Sequence, residues 1–222
     1  MDFTNKDNLT IILLIAGFLL SRIPVIGKYV RGVNTLIHET GHALMALITS
    51  GEVLAVELFS DTSGTTITKS KGKFGQFLIA ICGYPFSSAA ALLLFYLIKI
   101  DAQLYIVLIL TAIAILNLIF LVRNWYGIFW LLSFIAILIG VWYNGNQTLI
   151  FATTVMFSGI VLTESIYSAL QLVIIAFKNP SNSGDAKNLS GITFIPPIIW
   201  AFFFLLQSIY FAYCVVKLYS IF

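Results

Sequence analysis

The succession of long apolar runs limits the fold of this chain more than any other feature. Leu9–Ile26, Phe74–Ile98, Ala102–Val122, Trp125–Tyr143, Thr148–Phe177 and Phe194–Leu218 are nearly free of charge. Each is near or above the roughly 20 residues that a helix needs to cross hydrocarbon. Lipid offers backbone groups no water to pair with, so such runs are helices. Only 9% of the residues are charged, against about a quarter in a soluble domain. The mean hydropathy of +1.01 agrees. The chain is expected to be an all-α polytopic membrane protein, one domain over residues 1–222, with about six transmembrane helices. A cleaved signal peptide is not expected, because no small-residue cleavage site follows the first run. Neither is a nucleic-acid partner: beyond "KSKGK" at Lys69–Lys73 there is no dense basic cluster. Cys82 and Cys214 lie far apart in apolar runs and read as small buried hydrophobes.

One helical segment, Tyr29–Ser50 (29–50), does not fit the lipid pattern. It holds both histidines of the protein in "HETGH", His38-Glu39-Thr40-Gly41-His42. Four residues on a helix make one turn, so the two imidazoles share a face. At that spacing two nitrogens can bind one tetrahedral Zn²⁺ at about 2.0–2.1 Å each. Glu39 stands about 100° round the helix, out of easy reach of the same ion but within reach of a water bound to it. That is the general-base position of a zinc peptidase. Ionisable groups inside membrane helices cost about 2.5–3.5 kcal/mol on insertion scales and usually mark function. The competing explanation is polar glue between helices.

After this helix the pattern changes. Residues 51–68 alternate in "EVLAVELF", turn in "SDTSG" and continue in the β-prone "TTIT", a re-entrant hairpin rather than a helix. Asp61 is ordinary turn chemistry there. Glu52 and Glu57 read as edge charges. A polar loop, residues 178–191, precedes the last span.

The stretch "LIHETGHALMALITSGEVLAVELFSDTSGTTIT" resembles the M50 family of membrane metalloproteases, the site-2 protease clan, and within it the compact M50B-like branch. "CGYPFSSA", Cys82–Ala89, resembles the Ala-Gly-Tyr segment of that branch. "SGDAKNLSGITFIPPIIW", Ser183–Trp200, resembles its late Ser-Asp-Ala stretch and Thr-x-x-Pro-x-x-x-Trp tail. The resemblance implies an intramembrane zinc protease with one Zn²⁺ per chain, acting in regulated intramembrane proteolysis. It makes His38, His42 and Asp185 the metal ligands and Glu39 the catalytic base. The better-known site-2 proteases carry Asp-Gly where this chain has Asp185-Ala186, so Asp185 follows the compact branch.

Without a third histidine, a carboxylate is the natural third ligand. Asp185 also suits a helix N-cap before "AKNL". Glu164, mid-span in "VLTESIYSAL", is the other candidate; it could instead pair with Arg123 or stay protonated. A transmembrane substrate must unwind to be cut, and its freed backbone groups could add as a strand to the hairpin. Val53, Ala55, Thr66 and Asn124 are the candidate substrate-binding residues on this reading, with Asn117 and Asn124 equally suited to polar glue. The alternative function is a catalytically silent adaptor or assembly factor that keeps the metal site. The expected partners are the membrane, a transmembrane protein substrate and a regulatory membrane partner.

Sidedness follows from Lys and Arg. If the histidine helix and hairpin dip in and return, Arg22, Lys28, Arg31, Lys69, Lys71, Lys73, Arg123, Lys178 and Lys187 share one face. Lys6, Lys99 and Lys217 lie on the other, a split of 9 against 3. Treating the histidine helix as a full crossing gives 7 against 5. The first is preferred, and it puts the active site near the cytoplasmic face.

Overall fold

The computed structural model describes residues 3–219, with side chains from residue 8; Lys6 lies outside the described side chains. Helices make up most of the chain, with one two-stranded hairpin. Helix α1 runs Phe3–Arg22 and α2 runs Ile26–Ile48. Between them the chain turns through 105°. Pro24 explains the break: it cannot continue α1, and Ile23 before it is pushed out of the helical region. Val25 takes φ +69° and ψ −67°, with Ile26 N–H donating to Pro24 O at 2.9 Å. That is a γ-turn, a strained conformation for a β-branched residue. The first helix thus ends at Arg22, short of the Ile26 expected from hydropathy.

Strands β1 (Glu52–Leu58) and β2 (Gly64–Lys69) pair antiparallel, with Leu54 bulged out between Val53 and Ala55. The turn is held by Asp61, whose Oδ1 accepts from Ser63 N at 3.0 Å and Ser63 Oγ at 2.6 Å. These bonds hold the Asp61 carboxyl below its ordinary range. Glu52 and Lys69 meet across the open end at 3.8 Å, both exposed, a contact worth little.

Helices α3 (Lys73–Lys99), α4 (Gln103–Leu116, continued by a π-turn over Asn117–Leu121), α5 (Trp125–Asn144), α6 (Gln147–Lys178) and α8 (Pro197–Tyr219) are long and apolar enough to cross a membrane. Gly145 at φ +67° ends α5, and the Asn146 side chain starts α6 by accepting from Thr148 N and Leu149 N. The α1–α2 pair is, taken together, also long and apolar enough, which brings the count to six if the bent pair forms one span. On α8, Phe202, Leu206, Tyr210 and Tyr213 face outward while Ala201, Phe204 and Ser208 face in.

The segment expected as a polar loop, residues 178–191, holds a 3₁₀ turn and a short helix, α7 (Gly184–Thr193). Ala186 and Leu189 of α7 are fully buried, in a cluster with Ala80 of α3, Ala169 and Leu172 of α6 and Phe204 of α8. Two apolar residues three apart suffice to dock one helical face. This docking fixes where Asp185 stands.

Four crossings from α3 through α6 bring the start of α3 and the end of α6 to one face. Two contacts agree with that alternation. The Val56–Val122 bridge joins the hairpin to the α4–α5 turn. On the far face Lys99 Nζ donates to Leu218 O at 2.6 Å.

Candidate metal centre

Helix α2 is amphipathic, and its buried face carries Val33, Ile37, Gly41 and His42 against α3. His38 and His42 project from it one turn apart, with Nε2–Nε2 at 3.0 Å. Asp185 Oδ2 completes a triangle, 3.3 Å from His38 Nε2 and 3.2 Å from His42 Nε2. A tetrahedral Zn²⁺ with bonds of about 2.0–2.1 Å separates neighbouring ligand atoms by about 3.3–3.4 Å. The triangle therefore has the size of three corners of a zinc site. Among the described residues, His38, His42 and Asp185 are the group whose donor atoms lie close enough together to hold a metal ion.

The surroundings suit a metal as well. His42 Nδ1 lies 2.7 Å from Ile79 O, so its N–H donates there and Nε2 keeps its lone pair for the triangle. The Tyr84 ring meets His38 edge-on at 4.7 Å and stacks on Phe204 at 4.5 Å, which fixes the imidazole plane. Gly83 makes room: a Cβ there would stand 2.6 Å from His38 Nε2 and also strike His42 Nε2.

Glu39 is buried and lines the same cavity as the triangle, a cleft of about 810 Å³. Its Oε2 accepts from Thr66 Oγ1 at 2.6 Å. The turn of the hairpin is tied to the same helix, with Thr35 Oγ1 donating to Thr62 O at 2.7 Å. The cavity wall also includes Asn34, Thr62–Thr66, Thr68, Tyr84, Ser168 and Lys187.

Not every sequence candidate lies at this cavity. Asp185 does not cap α7: Ser183 holds the N-cap position, without a side-chain bond, and Asp185 sits in the first turn. Glu164 is away from the triangle. It pairs with Arg22 at 2.8 Å and with Arg31 at 3.8 Å, not with Arg123, whose guanidinium donates to Val122 O and Phe120 O. Asn117 donates to Thr40 Oγ1 at 2.9 Å, fastening α4 to the histidine helix. Asn124 is committed to Leu58: Nδ2 donates to Leu58 O at 2.6 Å and Oδ1 accepts from Leu58 N at 3.1 Å. Val53 and Ala55 sit on β1, outside the cavity wall, whereas Thr66 is on it. Gly83 and Tyr84, both at the triangle, carry no metal-site pattern of their own in the sequence. The isolated glycine in an apolar helix was the available signal.

A helical membrane protein with a His, His, Asp cluster sized for a metal ion is the class that fold and site define. The chain matches the Peptidase M50B-like family over residues 10–215, nearly its whole length, and belongs to that family. No curated protein and no solved structure matches it.

Proposed function

We propose that this protein is an intramembrane zinc metalloprotease that hydrolyses peptide bonds in or near transmembrane segments of other membrane proteins, with one Zn²⁺ per chain on His38, His42 and Asp185. The observation that carries this reading is the placement of Glu39, an intact carboxylate on the wall of the cavity that also holds the three donor atoms. An adaptor that merely kept the metal would have no use for a base there, which weighs against the silent reading.

A zinc ion so held supplies Lewis acidity, lowering the pKa of water to about 7 and polarising a peptide carbonyl. The chain supplies the rest. Glu39 Oε1, the oxygen that Thr66 does not engage, takes the proton from the attacking water and returns it to the leaving amine. Asp185 balances the positive charge of the site.

The hairpin has one side for substrate. The outer side of β1 is occupied: Val122 bridges Val56, Arg123 N–H donates to Val56 O at 3.1 Å, and Asn124 pairs with Leu58. Among the described residues strand β2 pairs only with β1, and Gly64–Thr66 and Thr68 line the cavity. An unwound substrate adds to β2, where its freed N–H and C=O groups regain partners. Substrate contact thus moves from Val53, Ala55 and Asn124 to the β2 edge.

We infer that the active site lies near the cytoplasmic face. The crossings put Lys69, Lys71, Lys73, Arg123, Lys178 and Lys187 on the side of the hairpin and α7, against Lys99 and Lys217 on the other. That excess favours the cytoplasm. Access is left to a regulatory membrane partner or to prior trimming of the substrate.

The test uses the full chain in lipid nanodiscs with a model membrane-spanning substrate, the cut mapped by mass spectrometry. Wild type should cut within or beside the span, and Glu39→Gln should cut at least about 100-fold more slowly. Equal cleavage by both proteins would refute the reading. A zinc-loaded wild type that cuts none of a panel of spanning substrates would favour the adaptor.

A further inference from the structure

The hairpin bears on the histidine helix from its turn into the start of β2. Thr62 accepts through its carbonyl from Thr35 Oγ1 at 2.7 Å. At Gly64 an added Cβ would stand 2.7 Å from Glu39 Cγ and Oε1 and 2.7 Å from Thr35 Cγ2. Thr66 Oγ1 reaches Glu39 twice, at 2.6 Å to Oε2 and 3.2 Å to the backbone carbonyl. Gly64 and Thr66, two apart on β2, show the same face of the strand to their neighbour. Here the neighbour is the residue proposed as the base.

We propose that Thr66 is a positioning residue: its hydroxyl fixes Glu39, so that the strand receiving the substrate also sets the base that cuts it. The inference rests on the protease reading given above. A glutamate side chain has three rotatable bonds, and Glu39 has no other hydrogen-bond donor to its carboxylate among the described residues. Anchoring Oε2 leaves Oε1 in a defined place and removes rotamers that point away from the reacting water. Gly64 is needed for the same reason, since any side chain there would displace the carboxylate. The arrangement also joins two events. A chain laid along the free edge of β2 would stiffen the strand, and a stiffer strand holds Thr66 and hence Glu39 more closely. Correct substrate would in this way complete the site that acts on it.

The test compares Thr66→Val, which has nearly the same shape without the donor, with Thr66→Ser, which keeps it. Both are made in the full chain and also in the Glu39→Gln background. Zinc per chain, kcat, KM and amide exchange across β2 are measured. Thr66→Val should lower kcat by on the order of 10- to 100-fold, with zinc and KM close to wild type and faster exchange at Thr65–Thr68. Thr66→Ser should stay within about 3-fold of wild type. In the Glu39→Gln background Thr66→Val should cost little more, because a residue acting through Glu39 has nothing further to remove.

Three results would overturn the proposal. A Val variant with wild-type kcat would remove any role in positioning. A rise in KM alone would make Thr66 a substrate contact instead. Loss of zinc or fold in Thr66→Val, or a Ser variant no better than Val, would make the residue structural. A wild-type protein that cuts no substrate refutes the protease reading, and this proposal with it, by a result distinct from those three.

Discussion

The side-chain amide of Asn124 stands beside Leu58 as a third strand would, donating to Leu58 O at 2.6 Å and accepting from Leu58 N at 3.1 Å. An amide side chain has the same donor and acceptor as a peptide bond, so one residue can close a strand edge. Open edges invite pairing with other chains. Asn124 thus blocks β1 and leaves β2 as the edge proposed for a substrate.

Removing this closure should be felt in stability before it is felt at the metal. Asn124→Ala leaves both backbone groups of Leu58 without their partner, at a cost of about 1–3 kcal/mol. Asn124→Asp keeps the acceptor for Leu58 N and should fall between. Both should keep zinc, because Asn124 is not among the residues of the triangle. Denaturant or thermal unfolding in detergent, with metal analysis alongside, checks this. Loss of zinc in Asn124→Ala would tie the strand edge to the metal centre and contradict the separation.

Asp185 and Glu164 should part company in the same assay. Asp185→Asn removes a carboxylate 3.2–3.3 Å from both imidazole nitrogens, so zinc affinity and activity should fall together. Capping cannot account for that loss, since Ser183 holds the cap position. Glu164→Gln removes the partner of Arg22 and Arg31. Breaking a buried pair from one side costs about 3–5 kcal/mol, yet zinc should stay bound. A zinc-replete, active Asp185→Asn protein would dismiss Asp185 as a ligand.

The parts of this architecture that could be read in advance were local. His38 and His42 share a face because a helix repeats every 3.6 residues, and the alternation in residues 51–68 matches the pleat of a strand. Helix ends shifted by a few residues where a proline or a cap decided them, as at Pro24 and Asn146. Helix α7 shows in the sequence only as a cap signal before "AKNL", because only Ala186 and Leu189 anchor it, too few to stand out in a polar stretch. The pairing of Glu164 with Arg22 and Arg31 joins α6 to both arms of a bent span, and its partner was sought at Arg123 instead. Gly83, Thr66 and Asn124 owe their roles to groups 27 to 66 residues away, to Glu39 at the near end and Leu58 at the far end. No periodicity reports on such distances.

Sidedness can be read directly. In a background of Cys82→Ala and Cys214→Ala, single cysteines at Lys71 and Ser181 should react with an impermeant reagent from the same side, the cytoplasmic one. A cysteine at Asn144, between α5 and α6, should react from the opposite side. A metal shared by the triangle would require the first part, since His42 lies against α3 through Ile79 O and Asp185 follows α6. Lys71 and Ser181 labelled from opposite faces would contradict the crossings.

Gly83→Ala sets two effects against each other. Alanine is the better helix former, by about 1 kcal/mol in a helix interior, and Gly83 lies within α3 without a positive φ. Propensity alone therefore predicts a firmer helix. The new methyl group, however, would stand 2.6 Å from His38 Nε2 and Cε1 and would also strike His42 Nε2, well inside the roughly 3.5–4.0 Å of carbon contacts. His42 cannot retreat without giving up Ile79 O, and His38 is held by the Tyr84 ring. The imidazoles must turn or α3 must move outward, and either change spoils a triangle with 3.0–3.3 Å sides. The expected result is a protein with unchanged helical content by circular dichroism and much less than one zinc per chain. Gly140→Ala is the control, since nothing lies within 4 Å of a Cβ at that position, and it should keep zinc and activity. If Gly83→Ala binds zinc as wild type does, the close approach of α3 is not what shapes the site.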